Sequence, residues 1–298
     1  MADRIRMHED VRRVAAEYLG SEPGELQVSS VSGGDINRNY AVTCSCSSTA
    51  CFVKMQDRSG DDFLEAEADG LAAIRQLEGA PRVPEVYATG GINGSCYLVM
   101  EYIRTGRTGE APAAELGRKL AAMHAAGSSR EYGYYRDNYI GLTPQQNTRQ
   151  ESWAAFFRDS RLGVQVRMAE RRHLLDYTLL RKLDTLLDRL ERYLPEPAHA
   201  SLLHGDLWSG NWMVAASGEP LLIDPAVYYG HHEADIAMTE LFGRFPQAFY
   251  SGYAEIVPLE REYQERRQLY NLYHLLNHLN MFGRSYEPSV RAVTQSYL

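Results

Sequence analysis

The sequence predicts an α+β protein of two lobes, a small β-rich unit over residues 1–102 and a larger, mainly helical unit over 103–298. Three observations carry that prediction. Short apolar runs bounded by glycine, asparagine and proline crowd the first hundred residues. A polar, glycine-bearing connector follows at 104–109. Beyond Pro112 the apolar residues recur at helical rather than strand spacing. With 298 residues, 44% of them hydrophobic, the chain is long enough and apolar enough to fold around a large core.

The elements follow in order. Val11, Val14, Ala15, Tyr18 and Leu19 share one face of a helix over 8–19, which Gly20 stops. Strands are expected at 26–31, 40–44, 51–55, 86–89 and 96–102. Between the first two lies the turn 32–37. There Gly33 and Gly34 allow a tight bend and a close backbone approach, so N–H groups of Gly33, Gly34, Asp35 and Ile36 can face phosphate oxygens. A plain hairpin turn uses the same residues. The third strand holds one lysine, Lys54, among apolar neighbours. Such a residue is usually solvated, but after a glycine-rich turn it also matches a lysine that pairs nucleotide phosphates.

The helix over 61–77 bears on that choice. Phe63, Leu71 and Ile74 form its buried stripe, and Glu67 lies on the same stripe, whereas Glu65 faces away. A carboxylate facing a core needs a partner, which makes Lys54–Glu67 the expected ion pair. Met100, Glu101, Tyr102 and Ile103 end the last strand at the connector, where the Glu101 carbonyl and the Ile103 N–H could meet an adenine edge. In the helical part, Leu116, Leu120 and Met123 share a face with His124, read as a core or capping histidine. Residues 132–144 read as a tyrosine-rich loop, and 152–166 and 175–194 as helices, the second ended by Pro195. Helices are also expected at 233–242, 247–256 and 260–282, with their aromatics in the core.

The stretch 202–226 carries the chemistry. Two apolar runs, Leu202–Leu203 and 221–223, lead into Asp206 and Asp224; between them lie Asn211, an apolar run at 212–214 and a turn at 217–220, a strand–turn–strand pattern that gathers the two aspartates and the asparagine. His204, Asp206 and Asn211 reproduce the H-x-D-x-x-x-x-N spacing of a phosphoryl-transfer loop, and Asp224 ends the next strand where a metal-binding aspartate belongs. Asp206 is the candidate base, and Asn211 and Asp224 are candidate Mg²⁺ ligands. Lys54, oriented by Glu67, is the candidate for the ATP phosphates. Trp208 is a candidate wall for the substrate, with plain packing as the alternative. Asp235 is either an acceptor for the loop backbone or an ordinary helix N-terminal carboxylate. His204 reads as a brace.

Bulk properties exclude several classes. A net charge of −8 argues against a nucleic-acid binder, and it serves solubility. No run approaches eighteen apolar residues and the N-terminus lacks an apolar signal core, so a cytoplasmic protein without membrane contact is expected. Cys44, Cys46, Cys51 and Cys96 lack zinc spacing and read as reduced thiols. No G-x-G-x-x-G follows a strand and opens a helix, which removes a Rossmann reading.

Taken together, GGDIN (33–37), FVK (52–54), FLEAEADGL (63–71), LVMEY (98–102), RDNYIGLTPQQNT (136–148), HGDLWSGNW (204–212), IDPAVYYG (223–230) and EADIAMTELF (233–242) resemble the fructosamine kinase (ketosamine-3-kinase) family. That family lies within the aminoglycoside-phosphotransferase-like kinases. The resemblance implies a protein-kinase-like fold and ATP-dependent phosphorylation of the 3-hydroxyl of ketosamines, free or protein-linked, of a deglycation type. It implies a monomer or weak dimer that uses ATP and Mg²⁺. Two departures stand out: His232 where the family pattern has arginine, and Asp35 where some relatives have cysteine. The competing readings are a kinase for aminoglycosides or choline-like amines, and a catalytically silent binding module on the same fold.

Overall fold

The computed structural model describes residues 2–31, 37–45, 47, 49–57, 62–197 and 199–298. The phosphate-turn candidates Gly33, Gly34, Asp35 and Ile36 lie outside them. Helix α1 (Ala2–Leu19) precedes an antiparallel sheet of β1 (Leu26–Val31), β2 (Arg38–Cys44), β3 (Ala50–Gln56), β4 (Val86–Ile92) and β5 (Ser95–Glu101), in spatial order β1-β2-β3-β5-β4. Helix α2 (Phe63–Arg75) connects β3 to β4. The period of two along a strand divides the sheet into faces. Val53, Met55 and Val99 join Val11, Val14 and Ala15 in one core, under α1. Leu98 and Met100 pack with Phe63 and Leu64 on the other face, under α2. Lys54, between Val53 and Met55, consequently faces α2.

The remainder is mostly helical, which makes the chain an α+β protein. Its helices are α3 (Glu110–Ala126), α4 (Trp153–Phe156), α5 (Gly163–Arg171), α6 (Tyr177–Leu187), α7 (Glu233–Met238), α8 (Gln247–Ala254), α9 (Tyr263–Phe282) and α10 (Glu287–Ser296). Short strands lie among them. Strand β9 (Ala200–Leu203) is flanked by β12 (Tyr228–Gly230) and β6 (Ser128–Ser129), while β7 (Asn138–Ile140) with β8 (Thr143–Gln145) and β10 (Trp212–Val214) with β11 (Pro220–Leu222) form hairpins. All four residues of β9 are buried in the core that α3, α6 and α9 enclose.

Several expectations change. The strand–turn–strand around 217–220 forms as β10–β11 through Trp212↔Leu222, but Leu202–Leu203 lies outside it, in β9, which pairs with β12 through Leu203↔Tyr228. Fully buried short runs can pair with any strand of like character, so sequence distance does not choose the partner. Residues 153–171 form one helical run whose middle, Phe157–Leu162, is wound as a π-helix. The helix expected over 175–194 ends at Leu187, followed by a 3₁₀ turn at Leu190–Arg192. Helix α10 was not anticipated. Cys51 and Cys96 are reduced thiols, Cys44 is disulfide-bonded, and Cys46 lies outside the described residues. Cys44 is the last residue of β2, still paired opposite Leu26 with its side chain buried, and cysteine spacing alone does not specify such a bond.

Candidate active site

Lys54 links three elements. Its Nζ lies 2.6 Å from Oε1 of Glu67 on α2 and 2.5 Å from Oδ1 of Asp224, 170 residues away. Burial by itself would lower the ammonium, but the two carboxylates outweigh it and hold the pKa above its ordinary value. Burial pushes the Glu67 carboxyl up, partly offset by Lys54. The expected Lys54–Glu67 pair is therefore formed, and Glu65 is exposed. Asp224 retains 44% side-chain exposure and adopts φ 54°, a left-handed conformation that costs a non-glycine residue on the order of 1 kcal/mol.

The segment 204–211 is held by buried acceptors. Asp235, 2% exposed, accepts the backbone N–H groups of His204 at 2.7 Å and Gly205 at 2.9 Å, and its Oδ2 lies 3.1 Å from Nε2 of His124. Burial works to raise the Asp235 carboxyl, but these partners hold it below its ordinary value. Of the two readings left open for Asp235, the geometry is that of the backbone acceptor. His204 is fully buried. Its Nδ1 accepts the Asp206 N–H, which leaves Nε2 to donate to the Ile223 carbonyl at 2.9 Å. The imidazole thus spans the two aspartate-bearing segments, and burial keeps it neutral by lowering its pKa. Gly205 has φ 83°, and a Cβ there would lie 2.1 Å from the Ala226 carbonyl oxygen, so only glycine lets the two backbones meet.

Asn211 Nδ2 donates to the Asp206 carbonyl at 2.8 Å and to Asp206 Oδ2 at 3.2 Å, which leaves its Oδ1 as the atom free to ligate. Burial, followed by the nearby Asp224 charge, raises the Asp206 carboxyl to about 7 against the Asn211 hydrogen bond. A carboxylate that binds its proton near neutrality suits acid–base work.

Lys54, Glu67, Asp206, Asn211 and Asp224 line a single cavity of about 650 Å³. Trp208, 39% exposed, also lines it. Its far wall consists of Phe242, Asn277, His278, Met281, Phe282 and Tyr286. The aromatics and leucines of this helix read from sequence as core, because a helix buried on nearly every side gives no sign of which part meets a cavity. Met100, Glu101, Tyr102 and Ile103 are not among the lining residues. The Glu101 carboxylate bonds Arg82, and its N–H donates to the Glu85 carbonyl. The connector is tied down by Gly106 N–H to Val214 O and Ala216 N–H to Arg104 O, both 2.7 Å. At His232, Nδ1 lies 3.0 Å from the Tyr253 hydroxyl, which is also 2.7 Å from Nδ1 of His124.

The donor set fits a hard cation with phosphates. Among the described residues no group of three or more His, Cys, Asp and Glu side chains is arranged to hold a metal ion. Asn211 and Asp224 offer two oxygen donors, the number that serves Mg²⁺ when substrate phosphates complete its shell. No helix among the described residues is long and apolar enough to cross a membrane.

The chain is similar to known proteins along nearly its whole length. A family model described as "Fructosamine kinase" matches residues 7–298. A protein of Synechocystis named "Probable ketoamine kinase" is 43% identical over 90% of this chain and 89% of its own. The chloroplastic protein-ribulosamine 3-kinase of Arabidopsis thaliana is 40% identical over 98% of this chain and 89% of its own. The crystal structure of a "putative fructosamine-3-kinase" from Thermobifida fusca superposes with a TM-score of 0.85 at 31% identity, covering 97% of this chain and 98% of that one.

Proposed function

The chain belongs to the fructosamine kinase family, and we propose from that premise that it phosphorylates the 3-hydroxyl of ketosamines with ATP. The observation that carries the reading is the meeting of Asp206, Asn211 and the Lys54–Glu67–Asp224 ion triad on one cavity. The relatives' names point to the ketosamine class of acceptor.

In this reading the sugar lies between Asp206 and the far aromatic wall, with Trp208 at its edge. Asp206 accepts the 3-hydroxyl proton as that oxygen bonds to the γ-phosphorus and the bond from phosphorus to the ADP oxygen breaks. Lys54, oriented by Glu67, holds the α- and β-phosphates, and the turn Gly33-Gly34-Asp35-Ile36 covers them. The connector residues Met100–Ile103 receive the adenine. Asn211 Oδ1 and Asp224 would hold Mg²⁺, which would supply charge neutralisation on the phosphates. Asp235, His204 and Gly205 keep Asp206 in place. Residues 1–102 form the nucleotide lobe and 103–298 the catalytic lobe. The enzyme acts in the cytoplasm as a monomer or weak dimer, without nucleic-acid or membrane partners.

A panel of five- and six-carbon ketosamines, aminoglycosides and choline, read by ADP release, tests the proposal. Turnover confined to ketosamines is expected, and Asp206→Asn should lower it by about 10²–10⁴. Turnover of aminoglycosides without ketosamine activity, or an Asp206→Asn variant of unchanged rate, overturns it.

A further inference from the structure

The motif RDNYIGLTPQQNT holds none of the residues assigned to phosphoryl transfer, although Asn138, Tyr139, Ile140 and Gly141 line the same cavity. It bridges α2 and the segment after Asp224, which also meet directly where Gly70 faces Pro225 and Val227. On one side it grips α2. Arg136 Nη2 donates to Asp62 Oδ2 at 2.5 Å, and the Tyr139 hydroxyl donates to Asp62 Oδ1 at 2.9 Å. Asp62 immediately precedes α2. The Tyr139 ring packs on Phe63 with centroids 4.9 Å apart, and the Tyr135 hydroxyl donates to Asp69. Asp62 and Asp69 bracket Glu67 on the helix. On the other side, Asn138 Nδ2 donates to Val227 O at 2.8 Å and Gln145 Nε2 to Ala226 O at 3.1 Å, three and two residues beyond Asp224.

Between these grips the motif is internally locked. Asn138 Oδ1 accepts from Gln145 Nε2 at 2.7 Å and from Asn147 Nδ2 at 3.0 Å. Gln145 Oε1 accepts from the Tyr273 hydroxyl at 2.8 Å, and Asn147 Oδ1 from Arg161 Nη2 at 2.7 Å. Asn138, Gln145 and Asn147 are each at most 4% exposed. Buried amides that satisfy one another in this way hold one geometry, because any shift leaves a desolvated polar atom unpaired.

We infer that the β7–β8 hairpin is a clamp that sets α2 against the Asp224 segment, with Arg136 as its positioning residue. Glu67 reaches Lys54 at the right height only while α2 is held from its N-terminal end. The motif does for this fold what a separate ordered loop would otherwise do. The inference rests on the reading that Lys54 binds nucleotide phosphates.

Arg136 and Asp62 are partly exposed, with side chains 25% and 48% accessible, so substitutions there spare the core. The test measures affinity for a fluorescent ATP analogue with Mg²⁺ and no acceptor present, together with steady-state constants and melting temperature. Arg136→Ala should weaken nucleotide binding about five- to tenfold, with ketosamine KM and Tm little changed. The exchanged pair Asp62→Arg with Arg136→Asp should recover most of the lost affinity, while each single change should not. Unchanged nucleotide affinity in Arg136→Ala, or no recovery in the exchanged pair, overturns the clamp. Because the binding arm uses no acceptor, an error in the ketosamine assignment leaves it intact. Lys54→Met tests the underlying reading separately, since full nucleotide affinity in that variant would refute it.

Discussion

Asp206→Asn should make the protein more stable, and by an amount that depends on pH. The Asp206 carboxyl is raised from its ordinary 3.8 to about 7, chiefly by burial and secondly by the charge on Asp224. The folded state therefore binds this proton more tightly than the unfolded chain does. The stability that the group contributes is complete below about pH 3.8. It is lost progressively as pH rises to about 7, and the loss is constant above that. A gap of about three pH units, at about 1.36 kcal/mol each, sets a ceiling of about 4 kcal/mol. Asp206 is only partly buried in the cavity wall, and solvent screening reduces the expected cost to about 2 kcal/mol. Asparagine has nearly the same shape, cannot ionise, and can still accept the Asn211 hydrogen bond. Thermal melts of both proteins, without metal or nucleotide, should coincide near pH 4. By pH 8 the variant should melt about 3–6 °C higher. In an Asp224→Asn background the difference should shrink, because one source of the shift is gone. An offset independent of pH, or a variant less stable than the parent at pH 8, would refute the reasoning.

Two further substitutions probe the rest of the site. Lys54→Met leaves Glu67 and Asp224 without their shared cation and should cost about 3 kcal/mol in urea unfolding at pH 8. At pH 5 the loss should be smaller, because the Glu67 carboxyl, already raised by burial, takes up a proton instead; an equal loss at both pH values would count against the triad. Asp235→Asn keeps one acceptor oxygen where His204 N–H, Gly205 N–H and His124 now converge on two. It should cost about 2–3 kcal/mol and lower kcat, and a variant with parental melting temperature and turnover would show that the loop is held by something else.

What could be read from sequence divides along physical lines. The β1–β5 strands and the Lys54–Glu67 pair were legible, since alternation and a carboxylate on an apolar stripe are local signals with few readings. His204, Asp206, Asn211 and Asp224 were legible from spacing. The partner of β9 was not, because its choice among buried strands depends on contacts formed far along the chain. Neither was the far wall of the cavity. His278, Phe282 and Tyr286 sit at the end of a helix and the turn after it, where core and cavity lining share one composition. The RDNYIGLTPQQNT stretch stood out as unusual, but its hydrogen bonds run to Asp62, Ala226 and Val227, partners that sequence proximity does not indicate. The Cys44 disulfide was missed because the spacing of cysteines along a chain does not specify which of them pair.

The contact at Gly205 has a consequence for how the protein should fail. Asp206 and Asp224 are registered by backbone, through Ala226 N–H to His204 O at 2.8 Å, Ile223 N–H to Asn211 O at 3.0 Å and the β9–β12 ladder beyond. Core side chains set the depth of the free-energy well, whereas the main chain sets the spacing of the two carboxylates. Truncations in the distant helical core should therefore reduce the number of competent molecules and leave the turnover of each surviving molecule unchanged. Catalysis would then decline along the same curve as unfolding, without a softened intermediate regime of slow enzymes.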